Sequence, residues 1–172
     1  MRILGICAVL AIVSGGVLPS SGLAEQQAVE TGPVTNLPLP RYVSLRSSKI
    51  NVRRGPGLDY RKDWVFRRTG MPVRVVDEYG DWRRIVDKDD AGGWVYHAMI
   101  TGRRTVLITG DNVLFRQDPA DTSSATARAE HGVVARLRAC EAVWCEVEAE
   151  GFEGWVRKLD IWGVDAGEEF ER

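Results

Sequence analysis

The chain has 172 residues, a formal net charge of −1 at pH 7, three cysteines and two histidines. That length allows one ordinary domain or two small ones, and it excludes a large multidomain architecture. The near-neutral total conceals a division of charge. Residues 41–105 carry fifteen Lys and Arg against eight Asp and Glu, whereas residues 106–172 carry seven against fourteen. The sequence therefore predicts a basic first half of charge +7 and an acidic second half of charge −7.

The first 24 residues have the order of features of a secretory signal peptide. Arg2 provides a positive charge, "ILGICAVLAIV" is an apolar run, and the small residues of "SSGLA" end at Ala24. A membrane-spanning helix needs about 20 apolar residues, and Gly15-Gly16 interrupts this shorter run, so an uncleaved anchor is the less favoured alternative. No Cys follows the run, which argues against a lipoprotein. We expect residues 1–24 to be removed, leaving a protein without a membrane span in the periplasm or secreted.

Residues 25–40 differ in composition from the rest of the chain. They contain Gly32, Pro33, Pro38 and Pro40 and few large apolar side chains. Such a composition is typical of a linker. We expect residues 25–40 to form a flexible tether before the first folded unit.

Two similar units follow the tether. The offset between matching residues is 61 or 62, and the matches are Asn51-Val52 with Asn112-Val113, Gly70 with Gly132, Trp82 with Trp144, Ile85 with Val147, and Gly93-Trp94-Val95 with Gly154-Trp155-Val156. Matches that recur in order at a fixed spacing indicate a repeated structural unit. We expect the two units to occupy residues 41–105 and 106–165, followed by a tail at residues 166–172.

Each unit is predicted to consist of short strands. "VRVV" (73–76) and "WRRIV" (82–86) flank a turn that contains Gly80, and "WRRIV" and "GWV" flank a second turn, which is the pattern of consecutive hairpins. "YHAMI" and "RKLDI" have the length of one 3₁₀ turn. A unit of about 60 residues can bury its apolar faces only by curling into a compact barrel. The predicted fold is all-β, two small tandem barrels with a core of Val75, Ile85, Val95, Leu137, Val147 and Val156.

The first unit resembles the bacterial SH3 domain family in "NVRRGPGLDY", Gly70, Trp82 with Ile85, and "GGWV". Domains of that family open with Asn-Val-Arg-x-Gly-Pro and close with Gly-Trp-Val. The second unit, with "WCEVEAEGFEGWV" and "IWGV", resembles a variant of the family common in alphaproteobacterial exported proteins. Its opening, "NVLFRQDP", departs from the motif by lacking the Arg and the Gly-Pro. The resemblance covers residues 41–165 and implies two tandem SH3-like barrels, each closed by its Gly-Trp-Val strand.

Cys140 and Cys145 remain once Cys7 is removed with the signal peptide. A disulfide is the default expectation for such a pair in an exported protein. A zinc site needs about four ligands, and His97 and His131 have no metal-ligand spacing. We therefore predict a Cys140–Cys145 disulfide, no metal and no cofactor.

The predicted disulfide requires an irregular strand. Alternation from Leu137 places Cys140 outside the barrel, whereas alternation from Val147 places Cys145 inside. Both sulfurs can share one face only if a bulge or turn intervenes. We predict such an irregularity between Cys140 and Val143.

The residues do not predict a catalytic site. A nucleophilic mechanism needs Ser, Thr or Cys beside a base, but the two thiols are expected to be oxidised and neither histidine lies in a recognisable motif. The paired carboxylates of glycosidases could come only from Asp89-Asp90 or Glu168-Glu169. A hairpin turn and a solvated tail explain these pairs better. We expect no enzymatic activity.

Aromatic residues of the basic unit form the candidate ligand surface. Tyr60 lies in the opening loop, Tyr79 and Trp82 in the first hairpin, and Tyr96 in the short turn. Not all of them can join the core, and exposed aromatic side chains on a β barrel typically bind a sugar or a peptide. The alternative is that Trp82 and Trp94 only close the barrel ends.

Basic doublets run through the same unit. Neighbouring side chains of a strand point to opposite faces, so at least half of these must reach solvent. The doublets are Arg53-Arg54, Arg61-Lys62, Arg67-Arg68, Arg83-Arg84 and Arg103-Arg104. Such a surface suits the carboxylates or phosphates of an envelope polymer, whereas export argues against nucleic acid. An internal alternative is that the acidic barrel docks on the basic one across a linker of roughly residues 101–109.

We therefore predict a ligand site formed by Arg53, Arg54, Tyr60, Tyr79, Trp82 and Tyr96. Its expected ligand is peptidoglycan or another component of the cell wall. The alternative is an accessory subunit that binds another periplasmic protein.

Overall fold

The computed structural model describes residues 30–171. The predicted signal peptide, with Cys7, lies outside this range. Residues 30–171 form fourteen β-strands and two single-turn 3₁₀ helices, with no α-helix, so the all-β prediction is confirmed. No helix among these residues is long and apolar enough to cross a membrane.

The first seven strands form barrel 1, which spans residues 41–101. They are β1 (Arg41–Leu45), β2 (Ile50–Arg53), β3 (Lys62–Phe66), β4 (Pro72–Tyr79), β5 (Trp82–Val86), β6 (Gly92–Tyr96) and, after a 3₁₀ turn at His97–Met99, β7 (Ile100–Thr101).

The other seven strands form barrel 2, which spans residues 105–162. They are β8 (Thr105–Ile108), β9 (Val113–Arg116), β10 (Ala125–Ala129), β11 (Val134–Cys140), β12 (Trp144–Ala149), β13 (Phe152–Arg157) and, after a 3₁₀ turn at Lys158–Asp160, β14 (Ile161–Trp162). The expected boundary between residues 105 and 106 thus falls inside β8.

The two barrels have the same topology. The strand orders are β3-β2-β6-β5-β4-β1-β7 and β10-β9-β13-β12-β11-β8-β14, so the second is the first with each strand number raised by seven. The neighbouring strands pair antiparallel, and each sheet curls around its own cluster of buried apolar side chains. All six residues predicted for the core are buried. The tandem SH3-like fold is therefore confirmed.

The opening strands correct one part of the predicted repeat. Arg53 pairs with Trp94 in barrel 1, and Arg116 pairs with Trp155 in barrel 2. Arg116 is thus the equivalent of Arg53, and the expected match of Asn51-Val52 with Asn112-Val113 is wrong by two residues.

This shift restores most of the opening motif in the second unit. In the corrected register "VRRGP" (52–56) lies over "FRQDP" (115–119), so the Arg and the Pro are present and Asp118 replaces Gly55. The expectation that the second unit lacks the Arg was wrong. Its cause is chain length, because the offset between equivalent residues falls from 63 at Arg53 and Arg116 to 61 at Trp94 and Trp155.

Cys140 and Cys145 face each other across β11 and β12 and form the predicted disulfide. The bulge that brings both sulfurs inside is at Arg138, where the pairing register shifts, and not between Cys140 and Val143 as predicted. One extra residue in β11 reverses the alternation before Cys140. Barrel 1 has the same shift at Val76, so the bulge belongs to the repeat and does not depend on the disulfide.

The segments outside the barrels pack against them. Residues 31–38, expected in a flexible tether, form a turn in which Thr31 bridges Pro38 and whose backbone is bonded to Glu78 of barrel 1. At the other end Phe170 exchanges two backbone hydrogen bonds with Cys140, and Glu168 pairs with Arg104. The described residues on both sides are therefore parts of the fold, and Glu168 is not in a solvated tail.

Hydroxyl and aromatic groups join the two barrels. The hydroxyls of Ser44 and Thr105 are 2.6 Å apart and both residues are buried, and Thr105 also donates to the carbonyl of Gly70 at 2.6 Å. The rings of Tyr42 and Trp162 meet edge to face at 5.3 Å. Among the ion pairs found in residues 30–171, none joins a strand of barrel 1 to a strand of barrel 2.

Candidate functional site

Three aromatic side chains lie in line across the outer face of barrel 1. Trp82 of β5 is directly opposite Tyr96 of β6 on one side and Tyr79 of β4 on the other. Opposed residues of antiparallel strands share a face, so Tyr79, Trp82 and Tyr96 form one aromatic row. Tyr79 is 66% exposed and Tyr96 40%, and the ring centroids of Trp82 and Tyr96 are 5.8 Å apart. The row is open to solvent.

Strand alternation places these rings outside. Arg83 and Ile85 of β5 and Val95 of β6 are buried, which leaves Trp82 and Tyr96 on the opposite, outer face. The two-residue turn after Tyr79 contains Gly80, whose φ is +50°. Glycine adopts this left-handed conformation without the steric cost that a side chain imposes, so the turn brings Tyr79 and Trp82 into register.

A second row lies beside the aromatic row on the same face. Trp94 of β6 is opposite Arg53 of β2 and Arg84 of β5, and Arg84 is in turn opposite Asp77 of β4. Arg84 is exposed, whereas Arg53 and Trp94 are partly buried. The face therefore presents a guanidinium next to a stripe of rings, an arrangement that can bind an anionic group on a ligand that stacks on the rings.

Arg53 shapes the loop between β2 and β3. Its Nη1 donates hydrogen bonds to the carbonyl oxygens of Leu58 at 2.6 Å and Tyr60 at 2.7 Å. The ring of Tyr60 covers Gly55 so closely that a Cβ on Gly55 would lie 2.4 Å from it. Glycine is required at this position of the opening motif because the ring occupies the space of a side chain. Arg53 thus holds the loop, with Tyr60 on it, beside the outer face.

Arg54 belongs to an ion-pair cluster on the same loop. Its Nε is 3.4 Å from Asp63, and Arg61 is 2.7 Å from the same carboxylate. The hydrogen bond from Arg61, with a smaller contribution from Arg54, lowers the pKa of Asp63. The charge of Arg54 is therefore partly neutralised within the loop.

The structure divides the six predicted site residues into two groups. Tyr79, Trp82 and Tyr96 lie together, with Arg53 in the adjacent row, whereas Arg54 and Tyr60 lie on the β2–β3 loop. The prediction left out Arg84 and Trp94, which complete the face. Simple alternation from Val95 would have found Trp94, and alternation from Ile85 would have found Arg84.

The same face of barrel 2 has different chemistry. Arg157 occupies the place of Tyr96 and lies 5.3 Å over the ring of Trp144, the equivalent of Trp82. Asp121 accepts a hydrogen bond from Nε of Arg157 at 2.9 Å. Glu141 stands where barrel 1 has Tyr79. In barrel 2 an internal Arg–Asp pair thus covers the ring, and the aromatic row is unique to barrel 1 among the residues described.

No group of three or more His, Cys, Asp or Glu side chains within residues 30–171 is arranged to hold a metal ion. His97 lies on the 3₁₀ turn after β6, with its ring centroid 4.7 Å from that of Tyr96. It therefore extends the aromatic row by one ring at its edge.

Comparison with known proteins agrees with the topology. The bacterial SH3 domain family matches the chain twice, over residues 46–102 and 109–163. No curated protein matches it. A solved structure entitled "Structure of NlpC2 from Trichomonas vaginalis" is similar at 8% identity and a TM-score of 0.33, with 72% of this chain and 48% of that chain covered. This chain thus spans about half the length of that protein. Since the two family matches together cover more than half of the sequence, the chain belongs to the bacterial SH3 domain family.

Proposed function

We propose that the protein is an exported, non-catalytic binding module of the cell envelope. In this proposal barrel 1 recognises peptidoglycan or another anionic wall component through the aromatic row of Tyr79, Trp82 and Tyr96 together with Arg84. The observation that carries the proposal is the alignment of two exposed tyrosine rings and the half-buried ring of Trp82 beside an exposed guanidinium on one sheet face.

The chemistry of a wall polymer fits such a face. Sugar rings are amphipathic and pack on aromatic side chains, which provide large apolar area with a polar edge. Peptide stems and anionic polymers present carboxylates or phosphates, which guanidinium groups bind in charge-assisted hydrogen bonds. The charge of +7 on residues 41–105 attracts such polymers over a longer distance, and the signal-peptide pattern of residues 1–24 would deliver the protein to them.

Membership of the bacterial SH3 family supports a binding role, since this is a family of binding modules. The contrast between the barrels further supports barrel 1 as the binding unit. Its row is open, whereas the corresponding ring of barrel 2 is covered by the Arg157–Asp121 pair and lies in an acidic half.

Co-sedimentation with purified sacculi tests the proposal. Protein lacking residues 1–24 should pellet with sacculi at low salt, and less of it should pellet as salt increases, because screening weakens the Arg84 contacts. The double variant Tyr79→Ala/Tyr96→Ala should lose at least about tenfold in affinity, which corresponds to about 1.4 kcal/mol. Arg84→Glu should weaken binding and reduce its salt dependence.

Two variants of barrel 2 serve as matched controls. Arg136→Glu makes the same charge change on an exposed strand residue, and Leu159→Ala removes an apolar side chain that is 71% exposed. Both should bind sacculi like the parent protein. Unmodified protein that stays in the supernatant at low salt would contradict the proposal. A single periplasmic protein captured through Tyr79 and Tyr96 would then favour the accessory-subunit alternative.

A further inference from the structure

Each barrel has a cavity at the same place, beside the edge strand of its sheet. In barrel 1 this cavity has a volume of about 250 Å³ and is lined by Trp64, Val65, Phe66 and Asp87. In barrel 2 its volume is about 540 Å³. The larger value is within the range of roughly 300–1,000 Å³ typical of ligand pockets, and the smaller one is below it. Barrel 2 therefore has room for a small molecule at a place where barrel 1 does not.

Two residues of the edge strand account for the difference. The pairing of each edge strand with its neighbour makes Ala127 and Ala129 of β10 the equivalents of Trp64 and Phe66 of β3. The two rings of barrel 1 pack edge to face, with centroids 5.7 Å apart. In barrel 2 two methyl groups stand in their place. The repeat thus fills this place with aromatic rings in one copy and leaves it open in the other.

The lining of the barrel 2 cavity is apolar and partly aromatic. Phe115 is buried, lies opposite Ala127 across the strand pair, and lines the cavity together with Val133 and Ala149. Phe152 of β13 also lines it and is 56% exposed. Aromatic rings pack favourably against other rings in edge-to-face or offset arrangements. The lining therefore suits a planar aromatic group.

Two carboxylates without partners line the same cavity. Glu130 follows β10 and Glu150 follows β12; both are exposed, and neither side chain forms an ion pair or a hydrogen bond with another described residue. Arg128 is also part of the lining, but strand alternation directs its side chain to the face opposite Ala127 and Ala129. The cavity therefore favours a cationic group on its ligand.

The equivalent place in barrel 1 lacks a free carboxylate. Asp87 follows Ile85 by two residues as Ala149 follows Val147, so Asp87 and Ala149 are equivalent. The side chain of Asp87 accepts hydrogen bonds from the amides of Asp89 and Ala91, each at 3.0 Å. Its carboxylate is thus used within its own hairpin. The open apolar space and the unpartnered carboxylates occur together only in the cavity of barrel 2, among the residues described.

We propose that the barrel 2 cavity is a further binding site of the protein, for a small aromatic amine. The aromatic ring enters beside Ala127 and Ala129, in the space that rings occupy in barrel 1, and the ammonium group lies at Glu130 and Glu150. An ammonium donates charge-assisted hydrogen bonds to carboxylates, and it is also attracted to the face of a ring such as that of Phe152. The site lies on barrel 2 and does not rest on the proposed function of barrel 1.

Calorimetric titration of the protein lacking residues 1–24 with tryptamine, an indole joined to an ammonium group, tests the site. One tryptamine should bind per chain. Two further probes separate the parts of its chemistry, because propylamine keeps the ammonium without a ring and indole-3-propionate keeps the ring with a carboxylate. Each should bind at least about tenfold more weakly than tryptamine, since each lacks one of the two groups that the cavity recognises.

Substitutions in the lining should locate the binding. Ala127→Trp restores the ring that barrel 1 carries at this place and should weaken tryptamine binding at least about tenfold. Ala129→Phe fills the same cavity and replaces Ala127→Trp if that variant does not fold, as judged by circular dichroism. Glu130→Gln/Glu150→Gln should weaken the binding of tryptamine and leave that of neutral indole unchanged. Ala142→Trp, the same substitution at an exposed turn position of barrel 2, is the matched control and should bind tryptamine like the parent.

Two cross-checks separate this site from the aromatic row. Tyr79→Ala/Tyr96→Ala should bind tryptamine like the parent protein. Ala127→Trp should bind sacculi like the parent protein. Failure of the wall-binding proposal would therefore leave the tryptamine result unaffected, and failure of tryptamine binding would leave the sacculus result unaffected.

Three outcomes would overturn the proposal. The first is the lack of saturable tryptamine binding up to millimolar concentration. The second is binding that folded Ala127→Trp or Ala129→Phe leaves unchanged, which would place the amine elsewhere on the protein. The third is equal affinity for tryptamine and either of the two other probes, which would show that the ring or the ammonium group is not recognised.

Discussion

In barrel 1 the cross-strand pair beside the β4–β5 turn is Glu78 and Arg83, and in barrel 2 the pair at the same place beside the β11–β12 turn is Cys140 and Cys145. All four residues are buried. One barrel therefore closes this end with charges and the other with a covalent bond, although strand order and bulge are the same. At this position both barrels join the two strands through a pair of buried side chains, and an ion pair and a disulfide are alternative ways to do so.

Charges are tolerated there because every oxygen of Glu78 has partners. The amides of Val34 and Thr35 donate to Oε2 at 3.1 and 2.8 Å, and the hydroxyl of Thr35 donates to Oε1 at 2.7 Å. Arg41 is 2.7 Å and Arg83 3.5 Å from Oε1. A buried carboxylate is costly unless it is paired and hydrogen-bonded. The N-terminal turn provides most of these donors, so it is part of the ion-pair site.

In barrel 2 the C-terminal segment occupies the comparable position. Cys140 and Phe170 exchange backbone hydrogen bonds of 2.9 and 3.0 Å beside the disulfide. The disulfide needs no hydrogen-bond donors, so this segment only covers it. The difference predicts that barrel 1 is sensitive to pH and to its N-terminal turn, whereas barrel 2 is sensitive to reductant.

The largest expected effect comes from removing one member of the ion pair. Glu78→Ala leaves Arg41 and Arg83 without their carboxylate, and loss of one partner from a buried pair typically costs about 3–5 kcal/mol. Urea unfolding should give that decrease, and hydrogen exchange should locate it in barrel 1. Asp59→Ala, on an exposed loop of the same barrel, is the control. If Glu78→Ala does not fold, Glu78→Gln should show a smaller decrease. Unchanged stability in both Glu78→Ala and Glu78→Gln would show that the Glu78–Arg83 pair does not stabilise barrel 1.

Acid should affect barrel 1 before barrel 2. Burial alone would raise the pKa of Glu78, but the hydrogen bonds from Thr35, Arg41 and Val34 outweigh it and lower the pKa from 4.5 to about 2. A carboxylate with a lowered pKa stabilises the fold above its unfolded pKa, and that stabilisation is lost as the pH falls from about 5 to about 2. The loss is at most about 2–3 kcal/mol.

Unfolding measured by hydrogen exchange between pH 7 and pH 2 checks this acid effect. Barrel 1 should lose protection first in the parent protein, and Glu78→Gln should remove most of the pH dependence of its stability in this range. Asp63, whose pKa is also lowered, keeps a smaller dependence. If barrel 2 of the parent protein unfolded first in acid, the prediction that Glu78 makes barrel 1 the more acid-sensitive unit would be wrong.

Loss of the disulfide should have a somewhat smaller effect, confined to barrel 2. The bond closes a loop of six residues, for which chain entropy predicts about 2 kcal/mol of stabilisation. Cys140→Ala/Cys145→Ala should reduce the free energy of unfolding of barrel 2 by that amount. A reducing agent should have a similar effect on the parent and none on the double variant. If the free energy of unfolding fell mainly in barrel 1, the stability of barrel 1 would depend on the disulfide of barrel 2.

The smallest expected effect tests the contribution of the N-terminal turn. Thr35→Ala removes one hydroxyl donor from Glu78 and keeps the two backbone donors, which should cost about 1 kcal/mol. It should also raise the pKa of Glu78, so that acid unfolding begins at higher pH. Thr122→Ala, at an exposed position of barrel 2, should change neither. If Thr35→Ala and Thr122→Ala had the same stability and the same acid unfolding, the hydroxyl of Thr35 would not contribute to the stability of barrel 1.

Strand alternation accounts for the parts of the site that were predictable. It predicted that half of each basic doublet must face solvent, and in Arg83-Arg84 the exposed member is Arg84. Alternation from Ile85 also places Arg83 inside, but it does not reveal the bulge at Val76, which sets the partners of β5 in β4. That bulge has no signal in the sequence of a single strand.

The sequence by itself determined the all-strand repeat, the turns, the disulfide pair and the outward direction of Tyr96. These properties depend on residues near one another along the chain, where glycines permit turns and alternation separates the two faces. Tertiary structure alone decided that Arg116 aligns with Arg53, that residues 31–38 hold Glu78, and that small residues of β10 open a cavity. Each of these depends on contacts between distant segments, such as the 43 residues between Thr35 and Glu78, which local patterns do not encode.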